Sequence, residues 1–128
     1  MKHPFLIGTA VLCFFLADAQ NKGRSALSEE LALATLEKSL KDSTAFNVID
    51  NKSVFLKDSS TVLKLAEAIL FSVYGEALIV KQKPYKLYHP KNYWIITGTL
   101  PGNVMFAGVF YIAIDDRNGK IVRLVHGK

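Results

Sequence analysis

Thr61 to Gly75, TVLKLAEAILFSVYG, is the stretch on which the fold turns. Val62, Leu65, Ala66, Ile69, Leu70 and Val73 recur at helical spacing with Lys64 opposite them, the pattern of an amphipathic helix with one face to bury. Ser59 or Ser60 is placed to cap its first free N–H groups, and Gly75 to end it in a left-handed conformation. After Gly75 the apolar period shortens to two, so everything downstream is expected to form strands covered by this helix.

Working outward toward the C-terminus, Lys81 to Leu87 reads as a first strand, held to an edge or early position by Pro84. Tyr88-His89-Pro90-Lys91-Asn92 has turn chemistry. Tyr93 to Thr99 alternates, with Trp94, Ile96 and Gly98 on one face and Tyr93, Ile95, Thr97 and Thr99 on the other. A loop containing Pro101-Gly102-Asn103 and Gly108 leads to strands at Val109–Ile114 and Lys120–His126. Asn118-Gly119 between them is a strong hairpin signal. A two-residue turn there would set Tyr111 opposite His126 and Ala113 opposite Leu124.

Working outward toward the N-terminus, Asp42 to Lys57 reads either as two short strands around Asp50-Asn51-Lys52-Ser53 or as a loop laid over the core. Ser25 to Lys41 repeats the helical pattern through Leu27, Leu31, Ala34, Leu36 and Leu40, with Glu29 and Glu30 at its positive end. Met1 to Ala19 combines Lys2, an apolar run from Phe5 to Leu16 and Ala17-Asp18-Ala19, the pattern of a cleaved secretory signal peptide. The run is shorter than the about 20 residues of a membrane span, so no stable membrane insertion is expected after cleavage. Three segments follow: 1–19 as signal, 20–53 as an N-terminal helix with its connection, and 54–128 as the main domain, the last two forming one folding unit. The chain is expected in the periplasm or cell envelope, or secreted.

The one cysteine, Cys13, lies in the leader, so the exported chain must be held by its core. Net charge is +5. No acidic residue occurs from Ala77 to Ile114, where Lys81, Lys83, Lys86 and Lys91 cluster. Such a rim would steer an acidic partner surface, or simply protect a sheet edge. Nucleophile elbows, phosphate loops and a cysteine nucleophile are absent from the exported sequence. His89 and His126 have no carboxylates at ligand spacing, so neither a metal nor another cofactor is expected.

The order Ala66-Glu67-Ala68, Tyr74-Gly75, Trp94-Ile95-Ile96, Gly98-Thr99-Leu100-Pro101, Gly108, Asn118-Gly119-Lys120-Ile121 and His126-Gly127-Lys128 resembles bacterial immunity proteins of nuclear-transport-factor-2-like fold, the YbbC/YhhH family. The resemblance covers about Val54 to Lys128 and departs at Ala107-Gly108, where the family pattern often has paired glycines. It implies an α+β, cystatin-like cone, a curved antiparallel sheet of about four strands on one or two helices. It also implies a non-enzymatic role, neutralising a toxin by direct protein–protein binding.

Tyr85, Tyr88 and Tyr93 interleave with Lys83, Lys86 and Lys91, a mixture that suits a protein interface and equally a single-stranded nucleic acid. Export argues against nucleic acid. Glu67, Tyr74, Tyr111 and His126 are candidate polar groups of a cone cavity. There they could serve a small-ligand carrier, or an isomerase-like pair of carboxylate and tyrosine. The competing reading leaves Glu67 solvated and His126 a structural, hydrogen-bonded histidine.

Overall fold

The computed structural model describes residues 23–102 and 108–127. The leader Met1–Ala19, Asn103 and Ala107 of the long loop, and the closing Lys128 lie outside them. The chain divides into two compact units, one ending at Ala45 and one beginning at Phe46. In the first, helix α1 spans Glu29–Lys41. Ser28 caps it, its hydroxyl accepting from the Leu31 N–H at 3.2 Å, and glutamates open the helix while Lys38 and Lys41 close it. Charges placed this way oppose the helix dipole at both ends.

The second unit is the α+β domain. Helix α2 spans Ser59–Tyr74, and its cap is Asp58, not either serine. The Asp58 carboxylate accepts from the Thr61 N–H and the Thr61 hydroxyl, both at 2.8 Å, so both serines fall inside the first turn. Gly75, at φ +90°, ends α2. The chain then turns straight into helix α3, Glu76–Val80, where strands were expected. Ile79 drops from α3 into the core with no exposure, and that burial is the gain from a helical turn here.

Strands β1 Lys86–Tyr88, β2 Tyr93–Thr97, β3 Phe110–Asp115 and β4 Ile121–His126 form one antiparallel sheet in chain order. Strand β1 is shorter than the sequence suggests, because Gln82 to Tyr85 leaves α3 in turns. Val62, Ala66 and Leu70 of α2 bury fully against Trp94, Ile96, Phe110, Ile112 and Ile114. Val73, assigned to the buried face by periodicity, is 56% exposed. Leu65 and Ile69 pack against the core as expected, and Leu63, Phe71 and Tyr74 join them, so the apolar face is broader than the periodicity suggests. Of the two readings for Asp42–Lys57, the loop is the one observed. It brings Leu56 into the core, its N–H and that of Phe55 both donating to the Asp116 carbonyl at 2.8 Å.

The β3–β4 connection is longer than two residues. Asp115 N–H donates to Lys120 O and Gly119 N–H to Asp115 O, and a bulge follows between Ala113 and Ile114. The register becomes Tyr111 opposite Val125, Phe110 opposite His126 and Ala113 opposite Arg123, one residue from that of a two-residue turn. His126 consequently moves to the helix-covered side of the sheet.

Gln82 locks the end of the sheet. It is 1% exposed. Its Oε1 accepts from Phe110 N–H at 2.8 Å, and its Nε2 donates to Leu78 O at 3.3 Å and meets His126 Nε2 at 2.9 Å. The carboxamide lies against Gly98, where a β-carbon would sit 2.7 Å from Gln82 Cβ and closer still to Oε1. A side chain at 98 therefore evicts a buried, fully used amide. Gly98→Ala is expected to destabilise the domain by about 2 kcal/mol, lowering Tm by roughly 10 °C in a thermal melt.

Candidate functional site

Alternation along the strands gives the sheet two faces. One lies under α2; the other carries Tyr88, Tyr93, Ile95, Thr97, Tyr111, Arg123 and Val125. Register aligns these in two cross-strand rows. Lys86, Thr97, Tyr111 and Val125 form one, and Tyr88, Ile95, Ala113 and Arg123 the other. Ile95, Thr97 and Tyr111 are half-buried, while Tyr88 and Val125 are 55% and 37% exposed. Together with Leu100 and Val109 they line an open groove of about 760 Å³. An isoleucine on each side of β2 is the sequence signal of this face: Ile96 serves the core, and Ile95 has no core to serve.

At one end of the same face Arg117 grips Asp115 with two parallel hydrogen bonds, Nε to Oδ1 at 3.0 Å and Nη2 to Oδ2 at 2.7 Å. Its guanidinium lies 5.9 Å from the centre of the Tyr93 ring. Hydrogen bonding from Arg117 holds the Asp115 carboxyl below its ordinary value, against the opposing effect of burial. Beneath the neighbouring turn, Asp116 is 1% exposed. It pairs with His89 Nε2 at 2.7 Å and accepts from Asn92 at 3.3 Å. The His89 ring stacks on Trp94 at 3.9 Å, and the Trp94 indole donates to Leu56 O at 3.0 Å. This network pins the 55–56 segment, the β1–β2 loop and the β3–β4 turn together.

The six residues read as a partner surface divide. Lys86, Tyr88 and Tyr93 share the face turned away from α2, and Lys91 stands at the turn between β1 and β2, at φ +54°. Tyr85 points the other way, edge-on to Phe110 at 5.2 Å. Lys83 stays on that side, 3.7 Å from Glu67 and 5.5 Å from the Tyr85 ring centre. Burial, then the nearby Glu67 charge, pushes the Tyr85 phenol up.

The four cavity candidates are divided as well. Tyr74 and His126 are brought together, ring centres 5.2 Å apart. His126 Nδ1 lies 2.7 Å from Gly127 O and donates to it, leaving Nε2 to accept from Gln82. Glu67 is paired with Lys83, and Tyr111 lies on the opposite face of the sheet, so the four do not converge. Among the described residues no cluster of three or more His, Cys, Asp or Glu is arranged to hold a metal.

A sequence profile described as "NTF2 fold immunity protein" matches residues 61–128. The chain belongs to this family. It is 31% identical over 85 residues to YhhH of Escherichia coli (strain K12), covering 66% of this chain and 61% of that protein. To YbbC of the same organism it is 29% identical over 73 residues, covering 57% of this chain and 60% of that protein. Both relatives are uncharacterised, and the chain spans about three fifths of their length. No solved structure matches the chain. The matched residues begin with α2 and include all four strands, so the family signature and the helix–sheet core coincide.

Asp115 provides a test of the electrostatics. Its folded value lies below its ordinary 3.8, so the pair with Arg117 stabilises the domain above that pH, and the stabilisation is lost as pH falls through the folded value. Across an acid series of circular-dichroism melts, wild-type Tm should therefore fall more steeply than that of Asp115→Asn, the two curves converging at the acid end.

Proposed function

We propose that this protein neutralises a toxin in the cell envelope or periplasm by binding it directly, without catalysis, and that the sheet face turned away from α2 is the binding surface. Family membership supplies the toxin-directed role in general. The single observation that carries the surface assignment is the apolar groove between Tyr88, Ile95, Tyr111 and Val125. It combines rigid aromatic and branched side chains on paired strands, where little conformational entropy is lost on contact.

A binding role fits the polar groups better than isomerase chemistry. That chemistry needs a carboxylate and a phenol facing one substrate, whereas Glu67 and Tyr111 lie on opposite sides of the sheet. A small-ligand carrier would use the same groove, but only Tyr111 of the polar groups nominated for it reaches there.

Co-expression with the toxin encoded beside its gene tests the reading. The wild-type chain should protect the cell and co-purify with the toxin domain. Tyr88→Ala should weaken binding about tenfold, on the order of 1–2 kcal/mol, with thermal stability nearly unchanged because that side chain is 55% exposed, and Val125→Asp should weaken it at least as much. Failure of the wild-type chain to bind or protect would overturn the proposal.

A further inference from the structure

We propose that the partner element received by the sheet face turned away from α2 is acidic, an apolar anchor flanked by carboxylates that pair with Lys86 and Arg123. The inference rests on the toxin-binding reading above and specifies the chemistry of the partner.

The register carries it. Lys86 ends one cross-strand row on β1, and Arg123 ends the other on β4. The groove between them is apolar, so the face presents a greasy strip with a cation at each edge. Both cations are exposed. Among the described residues neither takes part in an ion pair, whereas Lys83 is held by Glu67 and Arg117 by Asp115.

Among the described residues of the second unit, no carboxylate pairs with either cation. Beyond Glu76 the only acidic residues are Asp115 and Asp116. Asp115 is gripped by Arg117, and Asp116 is buried beneath His89. Among the described residues of this unit the face therefore presents positive charge with no carboxylate paired to it, around an apolar floor. Three strand spacings with an offset of two residues set the backbone positions of Lys86 and Arg123 about 16 Å apart. An extended partner segment covers that span in about five residues, enough for a carboxylate, a central apolar side chain and a second carboxylate. Two copies of this chain meeting face to face would instead oppose like charges, which disfavours self-association here.

The test measures affinity of the full chain for the purified toxin domain encoded beside its gene, by calorimetry at low and at raised ionic strength. Wild-type affinity should fall as salt rises. The double variant Lys86→Glu/Arg123→Glu should bind at least about tenfold more weakly and lose most of its salt dependence, with Tm unchanged. If the double variant binds as the wild type does while Tyr88→Ala still weakens binding, the acidic partner is wrong and the toxin-binding reading stands. If the wild type does not bind at all, both fall. Co-sedimentation with phosphatidylcholine–phosphatidylglycerol vesicles that the double variant abolishes would assign the face to a membrane and overturn the proposal. A dimer that Tyr88→Ala dissociates would assign it to a second copy, with the same result.

Discussion

One helix has to cover one face of one sheet, and that constraint shapes the whole second unit. Val62, Ala66 and Leu70 are fully buried only because Trp94, Ile96, Phe110, Ile112 and Ile114 present a continuous apolar surface beneath them. The arrangement is one-sided. Helix α2 packs over the inner residues of β2 and β3, and the outward residues face away from it. An outward face made of charge and small polar groups would need no further account. This one has Ile95, Tyr111, Val125 and Tyr88 on it, and Arg117 neutralises its single carboxylate, Asp115.

The buried polar groups define the boundaries of that sheet. Gln82 uses both ends of its amide to hold Phe110, Leu78 and His126, which fixes where β3 and β4 end relative to the exit from α3. Asp116 does the corresponding work at the other end, through His89, Asn92 and the backbone of Phe55 and Leu56. Unpaired, either group would cost more than the hydrogen bonds contribute. Their completeness therefore restricts the core to one arrangement, and with it the alignment of the two cross-strand rows that make the binding face.

Much of this was legible in the residues. The helix at 61–75, the switch from a period of 3.6 to a period of 2 and the separation of Ile95 from Ile96 follow from spacing, because burial of alternate or every third to fourth residue leaves a direct imprint, and Pro84 marks the edge position of β1. Order and identity of the motifs carried the family. The short helix Glu76–Val80 was hidden because Ala-Leu-Ile-Val serves a buried strand as readily as a helical turn. Gln82 and Asp116 were hidden because nothing local distinguishes a buried, satisfied polar side chain from a solvated one.

By itself the sequence determined the central helix, most of its apolar face and the alternation along the strands: periodicity and turn chemistry are properties of neighbours in the chain. Only the tertiary structure decided which residues meet. The Asp115–Lys120 turn and the bulge at Ala113 shift β4 by one residue, and a shift of one turns His126 to the covered face and sets Arg123 and Val125 on the open one. At that turn Arg117 folds back on Asp115, and Asp116 meets His89, which comes 27 residues earlier in the chain. Contacts between such distant residues leave no local pattern to read.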